Sequence, residues 1–508
     1  MTARSARSWL MPALLATLAI KLVLSAVLPF SGDEAYFLIW GQRPDFGFYD
    51  HPPMVGWLLW LMLHISDAAW VLRLPIVLFT SFIGYGLYRL LREWDEEKAA
   101  LAALLYWVSP VNLIGVLITT DAGLIFFSFI SVWLLARAMQ NGKTRYFVGA
   151  GAAFGLACLS KYFAALLGLG ILAYWAATPQ ARARSRGFVW LCAASLPFIA
   201  LNVYWNYSHC WANIMFNVFN RNDDAKFAWY KPLVYLLIHV YLTTPLVVWW
   251  LVKKRKTLSA AWTDARFRLF AFVFVLPMAI FALLSLEKII GLHWLLSFYP
   301  FLFVLLALWL SQAEMWKTLR FLLVFSGVHL AALAVIGLLP MSVWQATRYA
   351  DGAVILLKHE ELLDRLEPYR DRFALATDGY STAAILSYHA HQNVFVFGEG
   401  SSHARHDDIV TDFRELDGRN ILIFLKHPPT FDDYGPYFKS IEFSDFTLYG
   451  AKFYLVLGHD LSYAAYREGV LRRIKDKYYA VPRYLPMGGC YFCERYFPNE
   501  SCRPPRAP

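Results

Sequence analysis

The chain is short of charge. Asp, Glu, Lys and Arg make up 17% of its 508 residues, where an ordinary soluble domain carries about 25%. That shortage argues against a soluble protein. Cysteine is scarce as well, at six residues. No internal repeat, long low-complexity linker or Gly-rich phosphate loop of the P-loop kind is found. The formal net charge of +10 does not point to nucleic acid. Lys and Arg fall in short loops between apolar blocks, which is the pattern of membrane topology rather than of a nucleic-acid surface.

What is present is apolar length. Hydrophobic residues are 58% of the chain and the mean hydropathy is +0.42. They fall in blocks of about 20 residues, the length that crosses a hydrocarbon core of roughly 30 Å. Spans are expected near 9–29, 68–90, 99–118, 122–139, 146–160, 162–177, 187–206, 232–252, 268–286, 293–311 and 319–340, about eleven crossings. The first is too long for a usual signal-peptide core and lacks a clear small-residue cleavage site, so it is read as retained. The 20 Trp, 29 Tyr and 39 Phe suit a protein with two membrane interfaces.

Charge sorts the loops. Arg4/Arg7, Arg89/Arg92/Lys98, Arg137/Lys143/Arg145, Arg182/Arg184/Arg186, Lys253–Lys256 and Lys317/Arg320 alternate with the Lys/Arg-poor loops 30–67, 118–121, around 161, 207–231 and 287–292. The positive-inside rule then puts the N-terminus in the cytoplasm and the region beyond about 340 outside. Two domains are expected, a transmembrane domain over 1–340 and a more charged α/β domain over 341–508. In the latter, Phe373–Thr377, Val394–Phe397, Ile421–Leu425 and Lys452–Leu457 read as strands and Glu360–Leu366 as a helix.

The outer loops hold the oddest acids: Ser31-Gly-Asp33-Glu34-Ala-Tyr36, then Phe48-Tyr49-Asp50-His51-Pro52-Pro53, then Thr119-Thr120-Asp121. Taken singly, Asp33 reads as a solvated loop residue or a cap, and Asp121 as the N-cap of the following span. Lys161, in Leu-Ser-Lys-Tyr, and Lys288, in Glu-Lys-Ile-Ile-Gly-Leu-His293-Trp294, read singly as snorkelling lysines. Together, carboxylates and lysines at one outer lip form the charge pattern that activates a hydroxyl and holds a phosphate leaving group.

These runs resemble the GT-C-fold glycosyltransferases, and within them the protein O-mannosyltransferase and lipid A aminoarabinose transferase superfamily. Gly-Asp33-Glu34-Ala-Tyr with Tyr49-Asp50-His51-Pro-Pro is similar to that group's first periplasmic loop. Thr-Thr-Asp121-Ala is similar to its Thr-Pro-Asp-Ala motif, Leu-Ser-Lys161-Tyr to its Leu-Ser-Lys-Tyr motif, and Glu287-Lys288 through Trp294 and Tyr299-Pro300 to its late Lys…Trp-Pro…Tyr segment. The resemblance covers roughly residues 15–310. Where the aminoarabinose transferases usually have Glu-Lys before the double proline, this chain has Asp50-His51. A permanent cation is thus replaced by one that titrates near neutrality, which argues against aminoarabinose as the sugar.

The resemblance implies a polytopic α-helical membrane protein of the bacterial inner membrane, with a C-terminal periplasmic α/β domain. Its donor would be a sugar–phosphate–polyprenol, so no nucleotide-sugar fold is needed, and its acceptor a lipid-linked, glycan or protein group. Asp33 is expected as general base, with Asp121 sharing that role or orienting the acceptor. Lys161, Lys288, His51 and His293 are expected on the phosphate, and Glu34, Asp50 and Tyr299 complete the substrate-binding set. Metal dependence is open: some GT-C enzymes use a divalent cation, but no third carboxylate at obvious ligand spacing demands one here. A transporter or flippase would place its ionisable residues near the midplane, often with paired repeats. A scaffold would leave the three Asp unexplained.

Cys490, Cys493 and Cys502 lack an evident fourth zinc ligand. In an oxidising compartment they favour a disulfide, Cys493–Cys502 or Cys490–Cys502, a Cys490–Cys493 bridge being tight. Cys158, Cys192 and Cys210 are expected as small core residues.

Overall fold

In hydrocarbon, backbone N–H and C=O groups must be satisfied within the chain, so long apolar runs become helices. The computed structural model describes residues 5–220 and 226–503. Six helices in it are long and apolar enough to cross a membrane alone: Ala6–Val27, Ala69–Leu91, Thr120–Asn141, Ser185–Ser208, Ala265–Leu284 and Gln312–Gly337. The chain is a multi-pass membrane protein. Each coincides with one of the expected spans. The span expected at 232–252 is not straight. It is two helices, Tyr230–Thr243 and Pro245–Lys253, bent by 95°. The bend sits where Thr244, at φ +70°, precedes a proline that cannot continue the helix.

The remaining four expected spans lie over shorter helices. The clearest case is 99–118. Its helix is Glu96–Val108, stopped at Ser109-Pro110, and a short helix Pro110–Ile114 follows. Every residue from Ala99 to Val108 is buried. This segment is enclosed by protein and need not itself match the bilayer, and irregular backbone at such depth is tolerated where it is buried or lines a cavity. The other three are Thr144–Cys158, Ala164–Ala177 and Tyr299–Trp309.

The chain divides into two compact units that are not consecutive in sequence. The first runs to Leu28, resumes over Leu61–Leu201 and ends at Ile336 after a third segment. The second comprises Pro29–Trp60, the segment that starts at Asn202, and everything described from Gly337 on. The first unit is the helical bundle. Its helices approach closely where glycine permits: a Cβ on Gly84 would lie 2.1 Å from Nε1 of Trp107, whose indole N–H donates to the Ser81 carbonyl at 2.9 Å.

The second unit is built on a five-stranded sheet of β1 (Ala374–Thr377), β2 (Phe395–Val396), β3 (Ile421–Leu425), β4 (Phe438–Leu448) and β5 (Ala451–Leu461), in the order β2-β1-β3-β5-β4. β1 runs parallel to β2 and β3, while β5 is antiparallel to β3 and β4. The helix Tyr380–Ala390 makes the crossover from β1 to β2, as a parallel pair requires. β3 is buried at all five positions. The same core takes in Tyr49, Trp205, Met215 and Phe216, which is why the loop segments belong to this unit.

Two disulfides close the second unit, Cys210–Cys490 and Cys493–Cys502. The second is one of the two expected pairings. The first corrects the reading of Cys210 as a plain core residue: it is buried, but as half of a bridge to a residue 280 positions away. Cys192 is exposed on its helix rather than in the core, and Cys158 is half-buried. The sulfurs of Cys490, Cys493 and Cys502 lie within 4.8 Å of one another, but all three are spent in disulfides and have no thiolate to give a metal.

Candidate functional site

The expected site residues fall into two clusters, one in each unit. In the second unit the helix Gly32–Gln42 opens with a capping box. The Ser31 side chain accepts from the Glu34 N–H, and Glu34 Oε2 accepts from the Ser31 N–H and hydroxyl, both at 3.0 Å. Glu34 is thus buried and engaged in fixing the helix start. Asp33, its neighbour in the first turn, is exposed and accepts a hydrogen bond on Oδ1 from the Tyr380 hydroxyl at 3.0 Å.

Asp50 is buried. Its Oδ2 accepts from the Tyr36 hydroxyl at 2.5 Å and its Oδ1 from the Ala404 N–H at 2.9 Å. The Tyr36 oxygen in turn accepts from the His406 N–H at 3.0 Å. Burial first, and the Asp50 carboxylate second, hold the Tyr36 hydroxyl well above its ordinary pKa, so it stays a donor. The backbone of this loop is pinned from the segment after Asn202. Asn213 donates to the carbonyls of Phe48 and Tyr49, and Asn217 to that of Asp50 at 3.0 Å. Cys210 anchors that segment through its disulfide. His51 is half-buried, edge-on to Trp40 with ring centroids 6.2 Å apart.

In the first unit the helix Thr120–Asn141 begins with Thr119 as its N-cap residue, and no side chain caps it. The reading of Asp121 as the cap is therefore corrected. Asp121 points elsewhere: its Oδ2 pairs with Lys161 Nζ at 2.7 Å, and both side chains are buried. Among the described residues the other oxygen, Oδ1, is buried and has no hydrogen-bond partner. The Lys161 ammonium also lies 5.3 Å from the centre of the Phe163 ring.

Asp121 forms part of the wall of a cavity of about 260 Å³. Its wall is mostly apolar (Ile76, Pro110, Ile125, Leu296 and Phe303 among others), with Asp121, Thr80, Asn112, His293 and Tyr299 as polar points. The Tyr299 hydroxyl lies 3.1 Å from His239 Nδ1. A few convergent polar groups in an apolar pocket is the usual make-up of a small-molecule or lipid site. The structure thus brings Asp121, Lys161, His293 and Tyr299 to one place. Lys288 lies half-buried in the turn after Ala265–Leu284 and is not among the cavity's walls.

Sequence reasoning did not single out Tyr380, Asn213, Asn217 or His406. Asn213 and Asn217 sit four residues apart, on one face of a turn directly after a cysteine. That spacing is the only signal, and it does not by itself name a partner.

Three comparisons bear on this arrangement. Residues 50–205 match the family model described as dolichyl-phosphate-mannose-protein mannosyltransferase. The lipid A galacturonosyltransferase RgtD of Rhizobium johnstonii is 26% identical over 181 residues, 35% of this chain and 38% of the relative. The lipopolysaccharide core galacturonosyltransferase RgtA of the same organism is 27% identical over 190 residues, 36% of this chain and 38% of the relative. These likenesses span little more than a third of either relative. Among solved structures, ArnT from Cupriavidus metallidurans bound to undecaprenyl phosphate superposes with a TM-score of 0.60 at 15% identity, covering 88% of this chain and 98% of ArnT. Its apo state gives 0.61. At that identity the likeness is one of architecture, and the architecture it establishes for this multi-pass chain with its small C-terminal sheet is the GT-C fold.

Proposed function

We propose that this chain is a glycosyltransferase of the bacterial inner membrane that takes a sugar from a polyprenyl-phosphate carrier and passes it to lipid A, lipopolysaccharide core or another envelope acceptor on the periplasmic side. The observation that carries the reading is the buried Asp121–Lys161 pair, whose second carboxylate oxygen is without a partner among the described residues, in the wall of an apolar cavity. A buried ion pair costs desolvation and adds little net stability. In a membrane protein, ionisable groups at such a place mark function by default. The family match and the two relatives, named for transfer to lipid A and to lipopolysaccharide core, support this class of reaction. ArnT with undecaprenyl phosphate supports a lipid-phosphate donor.

The chemistry is a single displacement. The acceptor hydroxyl attacks the anomeric carbon from the face opposite the phosphate. Its proton passes to the Asp33 carboxylate, the bond from the anomeric carbon to the phosphate oxygen breaks, and polyprenyl phosphate leaves with the electron pair. The anomeric centre inverts. A positioned base contributes about 10²–10⁴-fold. Lys161, Lys288 and His293 are the first unit's candidates for offsetting the charge that grows on the phosphate, and His51 is the second unit's. Asp121 is the first unit's candidate for orienting the acceptor, and Tyr299 with the apolar cavity wall of that unit takes the first isoprenes. Asp50 and Glu34 hold the loop and the helix that carry His51 and Asp33. The two disulfides support an oxidising compartment for the C-terminal part, in line with the charge alternation of the loops.

The test is transfer by the purified protein in detergent from labelled polyprenyl-phosphate sugars, a galacturonosyl donor first, to lipid A and core acceptors. Release of polyprenyl phosphate with label on the acceptor is expected, and it should be abolished in Asp33→Asn. Donor that is bound but never cleaved, across sugars and acceptors, would favour a carrier-lipid transporter instead.

A further inference from the structure

The second unit puts a tyrosine of its C-terminal segment directly on the exposed acid of its first loop. Tyr380 is the first residue of the helix Tyr380–Ala390, and its hydroxyl donates to Asp33 Oδ1 at 3.0 Å. This meeting is built in by the packing of two helix starts. Gly32, the residue before Asp33, has no room for a side chain: a Cβ there would fall 1.9 Å from Oγ and 2.9 Å from Cβ of Ser381, the residue after Tyr380. The glycine lets the two helix starts close, and the closure aligns the carboxylate with the phenol. The Tyr380 ring also packs edge-on against Tyr36, with centroids 5.4 Å apart, and Tyr36 holds Asp50 at 2.5 Å. Asp33 and Asp50 are therefore tied into one aromatic brace.

Resting on the reading of Asp33 as the base, we propose that Tyr380 is a positioning residue of the reaction: its hydroxyl fixes the rotamer of the Asp33 carboxylate and leaves Oδ2 for the incoming acceptor hydroxyl. The phenol is suited to this. Burial first and the Asp33 charge second raise its pKa above the ordinary value, so it stays protonated and remains a donor. Removing it frees the carboxylate to turn away from the incoming acceptor, which lowers the rate of the chemical step and not the affinity for the donor. The C-terminal segment of the second unit thereby acts on the base that the unit's first segment carries.

The experiment is Tyr380→Phe in the full-length protein, with kcat and the KM for donor measured separately. The expected result is a kcat lowered about tenfold, the scale of a lost hydrogen bond to a charged group, with the KM for donor unchanged. Gly32→Ala, which forces the helix starts apart, should lower kcat in the same way. A Tyr380→Phe protein that elutes as a folded monodisperse species with the native kcat overturns the proposal. So does a fall in kcat accompanied by a matching loss of donor affinity, since that marks a merely structural residue. Asp33→Asn separates the two readings: if it retains transfer, the base assignment fails. If it is inactive while Tyr380→Phe keeps the native kcat, only the role of Tyr380 fails.

Discussion

The two units hold the buried Asp of their expected site residues differently. In the helical unit, Asp121 is neutralised by charge: Lys161 sits on one oxygen at 2.7 Å, and the other oxygen, which has no partner among the described residues, is left in a cavity wall. In the sheet-bearing unit, Asp50 is held by a tyrosine hydroxyl and a backbone N–H, one on each oxygen. The first arrangement is strong at short range and intolerant of losing a partner, because a lone charge in a low-dielectric interior has nothing to relax onto. The second spreads the charge over donors fixed by backbone, and each link is worth less. The helical unit therefore keeps Asp121 available, whereas the other unit uses the buried Asp50 and Glu34 as joints and exposes a different acid, Asp33.

The sharpest way to break this contrast is Lys161→Met. It strands a buried Asp121 carboxylate and should cost about 3–5 kcal/mol, read as a large fall in the thermal midpoint in detergent. Adding Asp121→Asn removes the stranded charge. The double variant should recover most of the stability and none of the transfer activity. Recovery of neither would mean that the pair is structural. Next in size is Cys210→Ala. It releases the segment that carries Asn213 and Asn217, and the lost cross-link should cost about 2–5 kcal/mol. Limited proteolysis should show the loss in the sheet-bearing part while the helical part keeps its resistance. Mass analysis of the unreduced native protein should find Cys210–Cys490 and Cys493–Cys502 as the linked peptides.

The helical unit was the more legible of the two, and for a physical reason. Hydrocarbon allows few backbone solutions, so hydropathy alone located the long helices. It overran at 99–118 because composition does not register that Ser109-Pro110 ends a helix already enclosed by protein. It also missed the bend at Thr244, which is set by backbone geometry and not by apolarity. In the other unit, the strands with buried apolar runs were readable, above all the fully buried β3. β4 was not, because an edge strand whose sequence is Phe-Lys-Ser-Ile-Glu-Phe-Ser-Asp-Phe-Thr-Leu keeps most of its side chains in water and shows no apolar run. The motifs carrying Asp33, Asp50, Asp121 and Lys161 could be found by residue type and order. Their partners could not. Tyr36–Asp50 spans 14 residues, Asp121–Lys161 40 and Tyr380–Asp33 347, and nothing local encodes such pairings. Cys210 is the plainest case, since an apolar neighbourhood hides a disulfide as readily as a core thiol.

A smaller effect tests the hydrogen-bonded side of the contrast. Tyr36→Phe removes the donor at 2.5 Å from Asp50 and leaves the His406 N–H without its acceptor. The expected cost is about 1–3 kcal/mol. That is less than for Lys161→Met, because the Ala404 N–H still serves Asp50. A cost equal to that of Lys161→Met would erase the distinction between the two units.

The smallest effect lies in pH, where two adjacent groups of the same unit oppose each other. Burial pushes the Asp407 carboxyl from its ordinary 3.8 up to about 7, against the hydrogen bonds from the Thr411 hydroxyl and the Val396 N–H. A carboxyl whose folded pKa is raised stabilises the fold fully below about 3.8, and that contribution is lost as pH rises through about 7. His406 runs the other way. Burial lowers its imidazole from 6.5 to about 3. Its folded form resists protonation, so its contribution is present above 6.5 and is lost as pH falls toward 3. The two windows nearly coincide and their signs are opposite, so between pH 4 and 6.5 the pair should leave stability almost flat. Asp407→Asn should unmask the histidine, giving a protein that weakens steadily on acidification through this range. His406→Gln keeps the backbone donor to Tyr36 and should unmask the carboxyl, giving one that strengthens instead. Thermal midpoints of the two variants at pH 4.5 and 6.5 should therefore change in opposite directions. Parallel slopes would mean that the two groups do not share one low-dielectric environment behind Tyr36.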